Sequence, residues 1–109
     1  MPKNAPKVKI EAVKDYSGQI VFCEPTEEDR VKTCDDIIAK TGAIFIPPFD
    51  HSDIIAGQAT AAKELIEETQ DLDYIMTPIG GGGLAAGTAL AVKYLLPNTK
   101  VVLGEPKKV

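Results

Sequence analysis

Short apolar runs alternate along the chain with longer stretches in which apolar and polar positions recur at helical spacing. Four runs, each bounded by turn residues, predict strands, since short apolar runs of this kind are typical of strands buried in a parallel sheet. These predicted strands are Gln19–Cys23, Ala43–Ile46, Asp73–Thr77 and Lys100–Leu103.

Four segments between these runs predict helices. In one of them Val31, Cys34 and Ile38 recur on a single face, as in an amphipathic helix. The predicted order is therefore α-β-α-β-α-β-α-β, which favours an α/β fold with three αβα layers and a parallel, Rossmann-like sheet. The predicted helices are Lys7–Tyr16, a segment from the Thr26 cap to about Lys40, a segment from Ser52 or Asp53 to about Thr69, and Leu84–Leu96.

Four consecutive glycines, Gly80–Gly83, stand between the third predicted strand and the fourth predicted helix. Without Cβ atoms an anion can approach the backbone, and positive φ values become accessible. The helix beginning near Leu84 adds unpaired donors and the positive end of its dipole. A flexible linker is the other interpretation, but linkers are usually padded with serine and other polar residues. The run predicts a phosphate-binding loop.

Composition narrows the class of partner. A chain of 109 residues can bury one modest core, and its formal net charge of −4 leaves no basic stripe for nucleic acid. No apolar run is long enough to cross a membrane, so a small molecule is the expected partner. Cys23 and Cys34 lack metal-ligand spacing and are expected to be free thiols. No secretory signal is present, so a cytoplasmic location is expected.

Three further motifs accompany the glycine loop: Pro2–Lys7, Ile54–Gln58 and Gly104–Pro106. Together the four motifs resemble the serine/threonine dehydratase and serine racemase group, which are pyridoxal-phosphate enzymes of the second fold type. The resemblance covers the whole chain. Cysteine synthases resemble Gly-Thr-Gly-Gly-Thr at this loop, and tryptophan synthase β chains carry a serine after three glycines. Neither pattern matches this sequence.

The resemblance implies that pyridoxal phosphate is the cofactor and that backbone amides hold its phosphate. The implied cofactor-binding residues are Gly80, Gly81, Gly82, Gly83 and Leu84. It also implies two parts of a larger enzyme, with residues 1–48 as the C-terminal part of a small mobile domain and residues 49–109 as part of the large cofactor-binding domain. The boundary falls at Pro47–Asp50, where two prolines predict an irregular extended loop.

Two further ligand sites are implied only by the resemblance. In metal-dependent members similar to serine racemase, the glutamate after the last strand, here Glu105, binds a magnesium or manganese ion, with further ligands beyond Val109. A solvated strand end is the alternative for Glu105. Nucleotide-responsive relatives place contacts on the helix that here holds Lys9, Ala12 and Tyr16; an ordinary surface lysine and a packed aromatic are the alternative.

The sequence lacks two of the family's motifs, which carry the residues that react with the cofactor and bind the substrate. The Ser-Phe/Tyr-Lys loop that bears the Schiff-base lysine and the Ser-x-Gly-Asn-His loop for the substrate carboxylate are both missing. Lys63 and Lys93 fall on helix faces, and Lys107 and Lys108 lie at the end of the chain. No catalytic residue is therefore assigned, and the chain is interpreted as an internal fragment that is inactive by itself.

For the intact enzyme the resemblance implies an ammonia-lyase that converts L-threonine or L-serine to ammonia and a 2-oxo acid, or a serine racemase. Two other interpretations stay open. The chain could be a non-catalytic module that binds pyridoxal phosphate or another phosphate ester. It could also be an assembly element that associates with itself through exposed sheet edges, because unpaired edges invite association.

The remaining conspicuous side chains favour structural roles. His51, the single histidine, precedes a predicted helix and is expected in a loop or cap rather than in catalysis. Acidic residues at the start of the second predicted helix favour its dipole over a metal site. Gln58 is compatible either with a tie at the domain junction or with a plain exposed glutamine. The acidic residues are Glu24, Glu27, Glu28 and Asp29.

Overall fold

A computed structural model describes residues 1–107 of the chain. The chain divides into two compact units, Met1–Phe45 and Ile46–Val109, called unit 1 and unit 2 below. Their assignment to a small and a large enzyme domain stays a prediction, and the predicted tail lysine Lys108 lies outside the described residues. The elements are α1 Lys7–Asp15, α2 Glu27–Thr41, α3 Ser52–Thr69, β1 Tyr74–Pro78, α4 Gly83–Leu95 and β2 Lys100–Gly104.

Local signals set the ends of α2 in unit 1. The hydroxyl of Thr26 accepts a hydrogen bond from the backbone N–H of Asp29 at 3.3 Å, which satisfies one of the donors left free at the helix start. Three acidic residues occupy the first turn, where they face the positive end of the dipole. Gly42 ends the helix with a φ of 70°, a left-handed conformation that suits glycine. The predicted start and end of this helix are confirmed.

Two of the four predicted strands are wrong. Gln19–Cys23 and Ala43–Ile46 belong to no strand in the structure. Cys23 makes one isolated parallel bridge with Pro2, in which the N–H of Lys3 donates to the Cys23 carbonyl at 2.9 Å. The physical reason is that β propensity becomes a strand only where a neighbour completes the ladder. Ile44, which is 89% exposed, has neither a ladder nor a covering layer.

Unit 2 contains the sheet. β1 and β2 pair in parallel, with Tyr74 opposite Lys100 and Pro78 opposite Gly104. α4 connects them, so the three elements form one βαβ unit. Ile75 and Thr77 of β1 are buried, whereas the alternating Tyr74, Met76 and Pro78 are exposed. The sheet therefore has one face turned to the core.

The core of unit 2 lies between the helices and the buried face of the sheet. Ile66 of α3, Ile75 of β1 and Val92 of α4 form a buried cluster, and Leu72, Leu96 and Val101 pack against it. α3 packs along α4, and a Cβ on Gly87 would come within 2.6 Å of the backbone N of Ala59. Gly87 thus allows a close helix approach. The predicted α/β class and parallel sheet are confirmed, with α3 and α4 forming a helical layer on the sheet.

Within residues 1–107, none of the helices combines the length and the apolar character that crossing a bilayer requires.

Candidate functional site

The glycine loop joins the carboxyl end of β1 to the first turn of α4. At its entry, the N–H of Ile79 donates to the Gly104 carbonyl at the end of β2, with an N–O distance of 3.1 Å. At its exit, Gly82 is the N-cap of α4, with φ 93° and ψ −13°. A residue with a side chain rarely adopts this left-handed backbone conformation, so the geometry of the turn favours glycine at Gly82. The loop is therefore anchored at both ends, at the carboxyl edge of the sheet.

A row of amide donors in this loop has no protein partner. Within the described part of the chain, the N–H groups of Gly80, Gly81 and Gly82 donate no hydrogen bond to protein. The next three, from Gly83 to Ala85, open α4 and have no intrahelical acceptor. The first turn of α4 has no acidic side chain, and the cap has no side-chain hydrogen bond. These donors, with the helix dipole, form an arrangement that favours a bound anion.

The four glycines differ in what surrounds them. A Cβ on Gly81 would lie 2.2 Å from Cδ1 of the Phe49 ring, and a Cβ on Gly83 would lie 3.1 Å from the Phe49 carbonyl oxygen. A Cβ on Gly80 or Gly82 would meet no atom within 4 Å. Two glycines thus allow close packing of Phe49, Gly82 allows the positive φ, and Gly80 leaves open space beside the backbone.

This open space belongs to a cavity of about 350 Å³ in unit 2. The five residues predicted to hold the cofactor, Gly80–Leu84, line it together. The other lining residues are Pro48, Phe49, Gln58, Pro78, Ile79 and Ala85. No acidic or basic side chain is among them, so the backbone donors set the charge preference of the cavity.

A second cavity of similar volume lies at the opposite end of the sheet, near the starts of β1 and β2. Asp71 and Asp73 are among its lining residues, together with Asn98 and Thr99. Two carboxylates disfavour a phosphate through charge repulsion. These two cavities are similar in size, so the charge of their lining residues, rather than their volume, distinguishes them.

Glu105, the predicted metal ligand, is exposed after the end of β2. No group of three or more His, Cys, Asp or Glu side chains that could hold a metal ion occurs between residues 1 and 107. A single carboxylate does not make a site for a hard cation, which takes about six oxygen ligands. The role of Glu105 stays a prediction, as does the nucleotide contact on α1, where Tyr16 is exposed.

His51 takes the capping role expected from the sequence, and three of the four acidic residues lie in the first turn of α2 as expected, whereas Glu24 lies before it. The Nδ1 atom of His51 accepts from the N–H of Asp53 at 3.3 Å and so caps α3. Glu24 forms an ion pair with Lys3, and this hydrogen-bonded carboxylate raises the pKa of Lys3. The carboxylate of Asp29 accepts from the N–H of Glu24 at 2.6 Å.

The helix lysines Lys63 and Lys93 interact with side chains of their own helices. Lys63 pairs with Glu67 at 2.7 Å, one turn along α3, and the Nζ of Lys93 lies 5.9 Å from the Tyr94 ring centroid. Neither residue lines the glycine loop's cavity.

Phe49 is the site residue that the sequence analysis missed. The two prolines before it predict only an irregular loop at this position. In the structure its ring and backbone lie against Gly81 and Gly83. The signal available in the sequence was the combination of an apolar side chain in a loop with a run of glycines elsewhere.

Over residues 1–109 the chain matches the family model described as pyridoxal-phosphate dependent enzyme. It is 43% identical over 108 residues to the beta-hydroxyaspartate dehydratase of Paracoccus denitrificans, covering 99% of this chain and 34% of that protein. It is 44% identical over 107 residues to the serine racemase of Schizosaccharomyces pombe, covering 98% and 33%. It is 43% identical over 102 residues to the catabolic L-threonine dehydratase of Escherichia coli, covering 94% and 31%.

Solved structures of relatives have a similar fold over nearly the whole chain. The serine racemase of Dictyostelium discoideum superposes with a TM-score of 0.90 at 42% identity, covering 97% of this chain and 34% of that chain. Maize serine racemase superposes with a TM-score of 0.94 at 40% identity, covering 97% and 32%. The chain therefore spans about a third of the length of the curated relatives it matches.

Proposed function

Because the chain belongs to the family of pyridoxal-phosphate dependent enzymes, we propose that Gly80, Gly81, Gly82, Gly83 and Leu84 hold the phosphate of pyridoxal phosphate. The observation that carries this proposal is the row of unpartnered amides at the start of α4, beside a cavity without charged side chains. A phosphate dianion would accept hydrogen bonds from several of these amides at once.

The residues that line the cavity fit the phosphate group of the cofactor, but they include no lysine that could react with its aldehyde. When bound, pyridoxal phosphate supplies an aldehyde that condenses with amino groups and a pyridine ring that draws electrons from the amino acid. The loop of this chain binds and orients through the phosphate. No lysine lines the cavity, which supports the proposal that this chain alone is not catalytic.

We further propose that the loop serves a dehydratase or racemase acting on a small β-hydroxy amino acid such as L-threonine or L-serine. The names of the relatives support this class, because serine, threonine and β-hydroxyaspartate all carry a hydroxyl group on Cβ. The dehydratase reaction removes that hydroxyl and the Cα proton as water, and the racemase reaction removes the Cα proton and returns one to the opposite face. A non-catalytic module that binds phosphate esters is the competing function.

The first experiment compares three ligands on the 109-residue chain: pyridoxal phosphate, pyridoxal and inorganic phosphate. The phosphate-bearing ligands should bind and pyridoxal should not, because pyridoxal lacks the group that the loop recognises. Because the aldehyde also condenses with exposed lysines, borohydride should label the lysines of the wild-type chain no more than those of Gly82→Ala. Equal binding of pyridoxal, or a lysine whose labelling is lost in Gly82→Ala, would contradict the proposal.

Gly82→Ala tests the loop directly in the same titration, because an alanine resists a φ of 93°. Affinity for pyridoxal phosphate should fall about tenfold or more, as expected when an anion site loses its backbone geometry. The matched control is Gly57→Ala, since a Cβ at this position of α3 meets no atom within 4 Å. Unchanged affinity of Gly82→Ala would count against the loop as the phosphate site.

A chimera separates the enzyme from the non-catalytic module. This chain replaces the matching third of the catabolic L-threonine dehydratase of Escherichia coli, to which it is 43% identical. The proposal predicts turnover of L-threonine or L-serine by the folded chimera. A chimera that binds pyridoxal phosphate but turns over neither amino acid would favour the module.

The exposed edges of the sheet support a second proposal, self-association of the chain. Within residues 1–107, β1 pairs only with β2, and each strand keeps one open edge. Light scattering should show association that grows with concentration, because an open strand edge offers unpaired backbone donors and acceptors to a second chain. A monomer at every concentration would contradict this second proposal.

Glu105 belongs to no group of three or more His, Cys, Asp or Glu side chains within residues 1–107, so its role as a metal ligand stays a prediction. The proposed chemistry of the loop does not depend on a metal ion.

A further inference from the structure

We propose that Phe49 is the positioning residue of the phosphate site, holding the glycine loop in the conformation that directs its amides at an anion. This inference rests on the proposed function of Gly80–Leu84 and adds a residue that contributes no donor of its own. Phe49 lies in the loop before α3 and lines the same cavity as the glycines.

The ring of Phe49 fills the space beside Gly81. A Cβ at Gly81 would lie 2.2 Å from Cδ1, 2.4 Å from Cγ and 2.7 Å from Cε1 of the ring. These distances are shorter than any non-bonded carbon contact, so only the hydrogen of a glycine fits between backbone and ring. The ring therefore fixes where the Gly81 backbone can lie.

The backbone of Phe49 likewise restricts the position of Gly83, on the other side of the helix cap. A Cβ at Gly83 would lie 3.1 Å from the Phe49 carbonyl oxygen and 3.2 Å from its Cα. Phe49 thus contacts the residues immediately before and after Gly82, the one loop glycine with a positive φ. A single residue holds both flanks of the position where the chain turns into α4.

Phe49 is itself anchored to α3. Its carbonyl accepts from the N–H of His51 at 3.1 Å, and the His51 carbonyl accepts from the N–H of Ile55 at 2.9 Å. α3 in turn meets α4 at Gly87, where a Cβ would come within 2.6 Å of the Ile55 carbonyl oxygen. The loop and the residue that holds it are therefore connected through one packed pair of helices.

Packing against Phe49 reduces the entropy that a tetraglycine loop loses when it binds an anion. Glycine has more accessible conformations than any other residue, so the loop loses the most entropy when it closes on an anion. The amides of Gly80–Gly82 have no protein partner to order them. A ring packed against the loop orders it before binding and leaves every donor free, which raises affinity by preorganisation.

The first test is Phe49→Ala, measured by titration of the 109-residue chain with inorganic phosphate and with pyridoxal phosphate. Affinity should fall about tenfold, the size of effect expected from lost preorganisation. NMR order parameters of the Gly80–Gly83 amides should fall, while those of β2 stay unchanged. A residue that only fills space would lower stability without this local change. Phe45→Ala is the matched control, because Phe45 is exposed in unit 1.

The second test is a double-mutant cycle with Gly81→Ala. In the wild-type chain the new methyl group meets the Phe49 ring, so phosphate affinity should fall at least about tenfold. In the Phe49→Ala background the obstacle is gone, so the same methyl group should cost little more. Non-additivity is the signature of a direct contact.

Three results overturn the inference: unchanged loop order parameters in Phe49→Ala, unchanged affinity, or an equal cost of Gly81→Ala in both backgrounds. If Phe49→Ala fails to fold, Phe49→Leu replaces it in the first test, because leucine keeps apolar volume and removes the flat ring. If the wild-type chain binds no phosphate, the proposed function fails. The order parameters and the cycle, measured on unfolding free energies, still decide whether Phe49 positions the loop.

Discussion

Unit 1 and unit 2 contain similar amounts of helix but differ in how much of their apolar surface is covered. Unit 2 has a buried cluster that joins α3, β1 and α4. In unit 1 the helices α1 and α2 bury no residue, and Cys23 is the one buried hydrophobic residue among those described. The difference teaches that helices form from local signals, whereas strands and cores need partners from other segments.

This contrast agrees with the chemistry of the two kinds of element. α2 has its cap, its first-turn acids and its terminal glycine within its own sequence. Among the described residues, the backbone of residues 19–23, in contrast, forms hydrogen bonds only with Met1 and Lys3. A strand exposes a row of backbone donors and acceptors that only another strand can satisfy in regular order.

The largest effect is expected where two helices of unit 2 meet most closely. Gly87→Ala places a methyl group 2.6 Å from backbone atoms of α3, so the helices must separate, at a cost of about 3 kcal/mol of unfolding free energy. Gly57→Ala, on an open surface of α3, should instead stabilise by about 1 kcal/mol. Urea unfolding followed by β1 amide signals measures both. Similar changes in unfolding free energy for the two substitutions would contradict the close packing of α3 against α4.

The next effect compares one residue type in the two units. Val92 of unit 2 is 3% exposed and Val31 of unit 1 is 55% exposed, both within helices. Val92→Ala should cost about 2 kcal/mol because it leaves a cavity in the cluster. Val31→Ala should cost less than about 0.5 kcal/mol, as for a surface substitution. Equal costs in urea unfolding would mean that the two units have comparable cores.

Helix caps should show no such contrast, since a cap acts within its own turn. Thr26→Ala in unit 1 and His51→Ala in unit 2 each remove a side-chain acceptor from a helix start. Each should cost about 1 kcal/mol. The loss of α2 or α3 amide protection, measured by hydrogen exchange, reports the effect. A much larger cost in either unit would indicate a role beyond capping.

The smallest effect concerns the ion pair of Lys3 with Glu24 in unit 1. The hydrogen bond and charge of Glu24 raise the pKa of Lys3 above its ordinary value of 10.5. The pair's contribution is therefore present at neutral pH and lost as pH rises through the raised pKa. Both groups are largely exposed, so the contribution is small.

Lys3→Met should abolish that alkaline loss, as measured by urea unfolding followed by circular dichroism between neutral pH and pH above 10.5. The same pH dependence in Lys3→Met and in the wild-type chain would show that another group causes the loss.

The sequence alone predicted the bounds of each helix or strand whose capping and turn signals lie in or next to its own segment. The four helices and both strands of unit 2 begin and end within two residues of the predicted positions. The place of the glycine loop between a strand and a helix was predicted correctly, and its binding of a phosphate stays a prediction. The strands at residues 19–23 and 43–46 were wrong, because propensity cannot reveal that a ladder partner is absent.

Phe49 could not be assigned a role for a related reason. Its contact with Gly81 joins residues that lie 32 positions apart in the sequence. Nothing within the turn around Phe49 indicates which loop its ring will meet. Contacts between distant segments depend on the packing of α3 against α4, which becomes visible only in the structure.

The central claim is that the amides of Gly80–Leu84 hold the phosphate of pyridoxal phosphate. The most direct measurement is an amide NMR titration of the ¹⁵N-labelled chain with pyridoxal phosphate, with pyridoxal as the matched ligand. The account predicts that the largest shifts fall on Gly80–Leu84 with pyridoxal phosphate and vanish with pyridoxal. Shifts centred elsewhere, such as around Asp71 and Thr99 in the second cavity, or equal shifts with both ligands, would contradict it.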